Sequence, residues 1–412
     1  MAVTDDEPVF FNPLEPGYAE NPYPQLAMLR EREPVHHSPL GIWVLFRYDD
    51  VFTVLRDASM SVEDANITVG DLDRRDQIEA IAREEGGNPD NRDHAILNID
   101  PPDHTRLRKL LSQGFTPRTI ERLRPRIQEL VNEALDRAED TDPWDLVPEL
   151  AFPLPFQVIS EMLGMPDGDR DQIRDWSHTL VRTLDPVIDE DEMRAAVRAS
   201  VAMNDHLAEV IEWKRAHPGD DVLTTLIEAE ADGDRLSPEE LRAQLVLLFI
   251  AGHETTVNLI GNGTLALLRN RDQLERWRGD PSLDANAVDE LLRYDSPVQL
   301  SRRITLRDIE IGGKVIEPGS MILTSLASAN RDPAHWGDDA DRLDVARDGA
   351  GQHVGFGSGV HYCLGASLAR LEAQVAVGTL IRRFPDLDLA GEPVHNGRIT
   401  LRGLDSLPLQ LG

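Results

Sequence analysis

The chain has 412 residues and a formal net charge of −32, because 74 Asp and Glu oppose 42 Lys and Arg. So acidic a surface argues against nucleic acid and against an anionic membrane as partners. The single cysteine excludes a disulfide framework. The N-terminus has neither the basic nor the apolar part of a leader, and no stretch approaches the ~20 apolar residues that span a bilayer. We therefore predict a soluble, cytoplasmic and monomeric protein.

The first hundred residues contain predicted short elements and one long loop. Residues 21–32 predict a helix, residues 35–48 a β-hairpin that turns at Pro39-Leu40-Gly41, and residues 49–57 a second helix. Residues 58–98 are polar and irregular, which predicts a loop of a length that is usually functional or mobile. Such a loop is either a surface excursion or a lid over a binding pocket.

Helical periodicity dominates from residue 102 to residue 232, with breaks at prolines and glycines. Ser237-Pro238-Glu239-Glu240 is a capping box with proline at the first helical position. It predicts a helix that continues to about residue 269 and is long enough to cross a domain.

The remaining predicted elements are shorter. Helices are predicted at 271–278 and 286–294, strands at 301–305, 309–311 and 321–324, a structureless meander at 337–351, and strands near 399–402 and 407–411. No repeat or linker divides the chain, which predicts one domain over residues 1–412. Its β-rich part covers approximately 33–60, 300–325 and 385–412, and its helical part approximately 100–300 and 364–383.

Cys363 lies where a glycine-rich loop meets a helix, in the sequence HVGFGSGVHYCLGASLAR of residues 353–370. Gly355, Gly357 and Gly359 precede it, and a helical pattern of leucines and alanines follows. Backbone N–H groups and the positive end of a helix dipole therefore point at the sulfur. Such a position lowers the pKa of a thiol and stabilises the thiolate, which binds metal or attacks electrophiles.

Several interpretations of this cysteine compete. A small buried hydrophobic residue is a common fate of free cysteine, but it leaves the three glycines unexplained. A zinc site needs about four ligands, and only His353 and His361 are near. A dinucleotide loop would need glycine where Tyr362 stands, and a nucleophile would need a base, for which only His361 is at hand. A thiolate ligand to haem iron fits the glycines, which let the backbone approach a flat macrocycle, and the helix amides.

The centre of the long predicted helix reads IAGHETT over residues 250–256. Glycine and paired threonines are unfavourable inside a helix, and one interpretation is a close helix crossing or a kink. In the other, Ala251 and Gly252 let a flat cofactor lie against the helix. The Thr255 hydroxyl can then bond the Ala251 carbonyl, and Glu254 supplies a carboxyl beside it, which together make a proton relay.

Phe356, Gly359, Cys363 and Gly365 form the pattern F-x-x-G-x-x-x-C-x-G, which resembles the haem-binding loop of bacterial cytochromes P450. The resemblance continues, in order, from about residue 21 to the C-terminus. It implies a mainly α protein with a small β subdomain. This is the cytochrome P450 fold, a triangular helical prism with a long central helix over the haem and short β-sheets.

The same resemblance implies a role for individual residues. The acid–alcohol pair of the proton relay is Glu254 and Thr255. The residues that bind haem are His104, Arg108, Ala251, Arg303, Phe356, Gly357, His361, Cys363 and Gly365. Among them Cys363 is the iron ligand, and His104, Arg108, Arg303 and His361 bind the propionates, with Arg302 as the alternative to Arg303. A structural ion-pair group is Glu290, Arg293 and Arg347, and the substrate pocket includes Leu247, Leu248, Val298, Leu300 and Leu401.

By this resemblance the protein is a haem-thiolate monooxygenase. It contains haem b and inserts one atom of O2 into a C–H bond of a lipophilic small molecule. Electrons come from NAD(P)H through a reductase and a separate ferredoxin or flavodoxin, which docks on the Cys363 side near arginines such as Arg108 or Arg370. The alternatives are a peroxide-driven peroxygenase, whose members carry Arg and Pro in place of the acid–alcohol pair, and a non-catalytic haem sensor. Glu254 and Thr255 argue against both.

Overall fold

A computed structural model describes residues 9–70, 75–87, 94–138, 143–166, 170–228 and 236–412. The helices are α1 (Tyr23–Arg32), α2 (Tyr48–Arg56), α3 (Arg75–Glu84), α4 (Asp103–Leu111), α5 (Pro117–Glu121), α6 (Arg124–Ala138), α7 (Pro153–Leu163), α8 (Arg170–Leu180), α9 (Glu190–Ala216), α10 (Val222–Glu228), α11 (Pro238–Arg269), α12 (Arg271–Gly279), α13 (Asp284–Tyr294), α14 (Leu326–Ala329), α15 (Pro333–Trp336) and α16 (Ala366–Arg383). The strands are β1 (Val35–His37), β2 (Trp43–Leu45), β3 (Met60–Ser61), β4 (Trp144–Asp145), β5 (Leu300–Thr305), β6 (Ile309–Ile311), β7 (Lys314–Ile316), β8 (Met321–Ser325), β9 (Asp388–Leu389), β10 (Val394–His395), β11 (Leu404–Ser406) and β12 (Pro408–Gln410).

Helix α11 is the axis on which the helical part is built. The Ser237 hydroxyl accepts the Glu240 N–H at 3.1 Å, and the Glu240 carboxylate accepts the Ser237 N–H at 2.8 Å, so the predicted capping box is confirmed. The helix ends at Arg269, as predicted, and packs against α7, α9, α13 and α16. Its buried residues belong to the largest hydrophobic cluster of the protein, and this burial stabilises a helix that glycine and threonine would weaken.

The expectation that no stretch is apolar enough to span a bilayer is wrong for this helix. Within the described part of the chain, Pro238–Arg269 is the one helix that passes by length and composition, with an 18-residue window of mean hydropathy 1.3. That window is 67 % buried inside the protein. A predominantly apolar helix that is mostly covered by neighbouring helices is a core helix.

The β part lies beside the helices and is built mainly on a five-stranded sheet with the order β1-β2-β8-β5-β3. The predicted hairpin is confirmed, since β1 and β2 pair antiparallel with Val35 opposite Leu45. Strand β8 adds parallel to β2 and antiparallel to β5. Because β5 is held on both sides, the direction in which each of its side chains points is fixed.

Two elements differ from the prediction. Residues 58–98 were expected to be a loop, but they contain α3, which packs on α9 and in which Ile81 and Ala82 are buried. Residues 399–402 were expected to be a strand, but β11 begins at Leu404, and Leu401 makes only an isolated bridge to Val298. In both segments the local sequence pattern was weak, so tertiary contacts determined the secondary structure.

Candidate active site

The loop that presents Cys363 is held by its backbone. Gly357 and Gly359 have φ of +68° and +72°, values that side chains other than glycine rarely adopt. A Cβ atom on Gly359 would also lie 2.6 Å from the carbonyl oxygen of Leu55 in α2. The Cys363 N–H donates to the Phe356 carbonyl at 3.0 Å, which closes the loop. The sulfur is thus fixed by main-chain geometry.

The electrostatics of the thiol differ from the expectation. Burial raises the pKa of Cys363 above its ordinary value, and the Gly365 N–H, Arg108 and Arg370 counteract this only in part. The predicted lowering is wrong for the protein alone, because α16 begins at Ala366 and the sulfur is desolvated. A positive group at the sulfur is therefore needed to keep the thiolate, and a metal ion meets that need.

The zinc interpretation fails on the surroundings of His353. Its Nδ1 accepts the Gly355 N–H at 3.0 Å, and its Nε2 lies 3.4 Å from the Asp289 carboxylate on α13. Both ring nitrogens therefore already have partners within the protein. In the described residues no group of three His, Cys, Asp or Glu side chains is arranged to hold a metal ion. A metal at Cys363 must therefore bring its other ligands with it, as a macrocycle does.

Four cationic or titratable side chains gather near the loop. The His104 and His361 ring centroids are 4.3 Å apart, and the Arg303 and Arg108 charges act on His361. Burial, then these charges, lower the pKa of His361 to about 3. Burial likewise lowers the pKa of Arg303 to about 10, partly offset by Asp100. Positive charge collected in this way is stabilised by anions such as carboxylates.

Strand register separates the two neighbouring arginines. Arg303 is 5 % exposed and lies close enough to His361 to act on it. Arg302 instead forms an ion pair with Asp64 and donates to the Val62 carbonyl at 3.0 Å. Successive residues of a strand point to opposite faces, so Arg303 is the residue on the side of the histidines.

The centre of α11 carries the acid and the alcohol. The Thr255 hydroxyl donates to the Ala251 carbonyl at 3.0 Å, the contact expected from the sequence. Ala251 is exposed, and Thr255 is half-buried, although most of the helix is covered. Glu254 is 7 % exposed. Burial raises its pKa, but His253, Arg398 and His178 outweigh this and lower it to about 2, so the carboxylate is ionised.

Two of these partners escaped sequence analysis. Arg398 Nη1 donates to Glu254 Oε2 at 3.2 Å, and its Nη2 lies 2.6 Å from His178 Nδ1. Glu254, His178, Arg398 and Asn258 line one cavity of about 320 Å³. The three charged or titratable groups come from α11, α8 and the C-terminal segment, and no local pattern joins them.

A second buried group braces the meander at 337–351. Arg293 and Glu290 are 0 % exposed and form a two-pronged ion pair at 2.7 and 2.8 Å. Arg347 donates to Glu290 at 3.2 Å and to Asp339 at 3.0 Å. The structure thus brings together the three residues that the resemblance grouped.

The residues suggested for the substrate pocket do not share one environment. Leu248 is buried in the main cluster and Leu247 is half-buried against it, while Val298 and Leu401 form an isolated bridge between the residues before β5 and the C-terminal segment. Leu300 is buried in a separate core cluster with residues of α1 and of the β part. Its place in the substrate pocket stays a prediction.

The residues present fit a haem group. Among the described residues, neither ring nitrogen of His104 has a hydrogen-bond partner, although the side chain is 2 % exposed. Such orphaned polar atoms are costly unless a ligand satisfies them. A Cβ atom on Gly365 would meet no described atom within 4 Å. Open space at Gly365 and Ala251, with cations beside it, matches a flat group that carries two carboxylates.

Comparisons with known proteins match the chain to one family. The family model for cytochrome P450 matches residues 74–280 and 282–394. The chain is 45 % identical to cytochrome P450 107B1 of Saccharopolyspora erythraea, with 97 % of each chain covered. It is 43 % identical to vitamin D(3) 25-hydroxylase of Pseudonocardia autotrophica, with 95 % and 94 % covered. The solved structure of epothilone D-bound P450epoK superposes with a TM-score of 0.88 at 34 % identity, with 97 % and 98 % covered.

The fold and site define a haem-dependent oxidoreductase of the monooxygenase class. The chain belongs to the cytochrome P450 family, which confirms the predicted fold class and the predicted enzyme class. Membership of the family implies haem iron as the cofactor.

Proposed function

We propose that this protein hydroxylates a C–H bond of a lipophilic small molecule with O2, and that Glu254 and Thr255 supply the protons. The observation that carries this proposal is the Thr255 hydroxyl bonded to the Ala251 carbonyl, next to the ionised, buried carboxylate of Glu254. An alcohol beside a carboxylate can pass a proton in either direction. A peroxygenase needs no such delivery, which favours the reaction driven by O2.

Haem b, bound through Cys363, supplies the iron that activates O2. We assign the rest of the binding to this chain's own groups. His104, Arg108, Arg303 and His361 hold the two propionates, and burial of Arg303 strengthens this contact because few waters compete for it. The Gly365 N–H bonds the sulfur and tempers its charge.

We propose a lipophilic substrate on the grounds of the pocket candidates. Leu247, Leu248, Val298, Leu300 and Leu401 are all aliphatic. The relatives support the same class, since one is named for vitamin D(3) hydroxylation and a solved neighbour is described as bound to epothilone D. Residues 58–98, which include α3, are the candidate lid. A screen of sterols, terpenoids, fatty acids and polyketides for a shift of the haem Soret band tests the class, and binding of polar compounds alone would contradict it.

We propose that a separate ferredoxin or flavodoxin delivers electrons from NAD(P)H at the surface of the Cys363 loop. Val360 and Tyr362 are exposed there, at 41 % and 38 %, and Arg108 lies against the Tyr362 carbonyl at 2.6 Å. Arg370, whose guanidinium pairs with Asp289 at 2.6 Å, is the other docking candidate. A cytoplasmic monomer remains our proposal for the state in which this partner is met.

Two measurements test the function. The reduced, CO-bound protein should show the red-shifted Soret band of thiolate ligation, and Cys363→His should lose that shift while it retains haem. With a surrogate reductase and ferredoxin, Thr255→Ala should consume O2 but release mostly peroxide, because proton delivery contributes ~10²–10⁴-fold to such steps. Faster turnover with added peroxide than with the electron-transfer proteins, in the unaltered enzyme, would favour the peroxygenase.

A further inference from the structure

Gln244 is an amide in the first turns of α11 whose side chain binds a distant stretch of main chain. It is 0 % exposed. Its Oε1 accepts the Ile96 N–H at 3.0 Å, and its Nε2 donates to the His94 carbonyl. The two contacts define the orientation of the amide, because an N–H needs an acceptor and a carbonyl needs a donor. Gln244 thus pairs with residues 94–96 as a neighbouring strand would.

Both sides of this pairing lie in the protein interior. Ile96 is 8 % exposed, and it belongs with Leu248 to the largest hydrophobic cluster of the described residues. Apolar surroundings offer no replacement for a hydrogen bond, so the buried amide and the main chain that it binds are stable only together. The pairing therefore holds residues 94–96 at one position on α11.

Gln244 lies on the face of α11 that leads to the open space assigned to the haem. Leu248 follows Gln244 by four positions and Ala251 follows it by seven, so the three side chains share one face of the helix. Thr255, four positions further on, continues this face. Seven residues of helix rise by about 10 Å. Residues 94–96 therefore lie over the same face as the open space at Ala251, about two turns away.

The chain directly after this segment is anchored as well. The Asp100 carboxylate accepts the Val62 N–H at 2.9 Å, and the Asp100 N–H donates to the Glu63 carboxylate at 3.0 Å. Residues 94–100 are thus held at both ends, by Gln244 of α11 at one end and by the chain after β3 at the other.

Helix α3, in the same candidate lid, is held to α9 in a different way. Glu84 pairs with Arg194 of α9 at 2.9 Å. Glu85, directly after α3, pairs with Arg198 at 3.2 Å. One side chain of each pair is more than half exposed, at 62 % and 56 %, and such pairs contribute little and are screened by salt. We therefore expect the lid to open at α3 while residues 94–96 stay on α11.

We propose that Gln244 is a positioning residue that fixes residues 94–96 as a wall of the substrate pocket, in contact with the part of a bound lipophilic molecule that is remote from the haem. This proposal rests on the proposed monooxygenase function, since it concerns the substrate of that same site. Gln244 is fully buried, so it acts through the residues that it holds. A wall held to the helix that carries Thr255 keeps a constant distance from the reacting position, and this distance sets the chain length that the pocket prefers.

Two azole ligands test the wall without the natural substrate. Imidazole and 1-dodecylimidazole both bind the haem iron through a ring nitrogen, but only the dodecyl chain is long enough to reach a wall two helical turns away. Dissociation constants follow from the shift of the Soret band. We expect the unaltered protein to prefer 1-dodecylimidazole. Gln244→Met retains the length of the side chain without its amide, and it should reduce this preference about tenfold, because the loss of two buried hydrogen bonds releases the wall. The affinity for imidazole should not change, whereas a merely structural role of Gln244 would leave the preference as it is.

Hydrogen exchange of the haem-loaded protein tests the pairing itself. In a peptide that contains residues 94–99, the Ile96 N–H should be protected in the unaltered protein and should exchange about tenfold faster in Gln244→Met. High salt should speed exchange in α3 but not in this peptide. The measurements on the unaltered protein remain decisive if Gln244→Met does not fold.

The matched control is Gln128→Met. The Gln128 Nε2 donates to Asn132 at 3.0 Å and to Thr379 at 3.1 Å, so its amide joins α6 to α16. This change removes an amide of the same size from another contact between segments. It should leave both the preference for 1-dodecylimidazole and the exchange of residues 94–99 unchanged.

The outcomes separate the two proposals. If the CO-bound unaltered protein lacks the thiolate band, the monooxygenase proposal fails. If that band is normal but the Ile96 N–H exchanges like an unprotected amide, the pairing with Gln244 is refuted. A preference for 1-dodecylimidazole that is absent from the unaltered protein, or that is the same in Gln244→Met and Gln128→Met, would refute the wall.

Discussion

Replacement of Arg293 by methionine should destabilise the protein more than any single change at its surface. The guanidinium is 0 % exposed and donates five hydrogen bonds. Two go to Glu290, and three go to the main-chain carbonyls of Asn330, Ala340 and Arg342. Methionine fills a similar length but donates nothing, so all five acceptors lose this partner.

The cost follows from what is left behind. Removal of one partner of a buried ion pair costs about 3–5 kcal/mol, because the other charge remains desolvated. Glu290 keeps the Arg347 guanidinium at 3.2 Å and the Asp344 N–H at 2.9 Å, which partly compensate its charge. We therefore expect a loss of about 3 kcal/mol, at the lower end of that range.

Urea unfolding of the haem-loaded protein measures this loss. The control is Arg124→Met, which removes an exposed ion pair at the same three-residue spacing, between Glu121 at the end of α5 and Arg124 at the start of α6. Those side chains are 44 % and 63 % exposed, and such pairs contribute about 0–1 kcal/mol. If the free energies of unfolding of Arg293→Met and Arg124→Met differ by less than about 1 kcal/mol, the meander does not depend on the Glu290–Arg293 pair. The assignment of this pair as a brace is then wrong.

Three further predictions concern haem and pH. Arg303→Met should release haem several-fold faster than Arg302→Met, measured by transfer to apomyoglobin, and equal rates would contradict the propionate assignment. Gly359→Ala should destabilise the protein without haem, because it meets α2 at positive φ, whereas Gly365→Ala should leave that stability unchanged and weaken haem uptake. Burial raises the pKa of Glu372 well above its ordinary value. The unfolded chain then releases a proton that the folded chain keeps, so stability falls as pH rises above about 4.3. Glu372→Gln should remove this fall in stability. If plots of the urea midpoint against pH are parallel for the unaltered protein and for Glu372→Gln, this prediction is refuted.

The sequence predicted the long helix because its signals are local and agree with each other. The capping box at Ser237 defines the start, and the apolar run defines the body. The bounds of β6 and the hairpin were predicted for the same reason, since alternation and turn residues lie within a few positions. The haem loop was recognisable because glycines at fixed spacing and one cysteine leave few alternatives.

What could not be predicted depends on contacts between distant segments. Helix α3 buries Ile81 and Ala82 and packs against α9, which lies over a hundred residues later in the chain. The raised pKa of Cys363 depends on burial, which no local motif reports. The cluster in which Leu300 packs joins α1, β2, β8 and the C-terminal segment, which no local pattern indicates.

The proton relay shows why distant contacts matter for function. Arg398 reaches Glu254 because the C-terminal segment is tied to the segment that follows α8. Asp185 accepts the N–H groups of Ile399 and Thr400 at 3.2 and 2.7 Å, and the Thr400 hydroxyl donates to the Leu184 carbonyl at 2.8 Å. These bonds fix the residues directly after Arg398. The Arg398 guanidinium beside Glu254 is therefore positioned by hydrogen bonds to Leu184 and Asp185, beyond the end of α8. The motif of acid and alcohol alone cannot specify this contact.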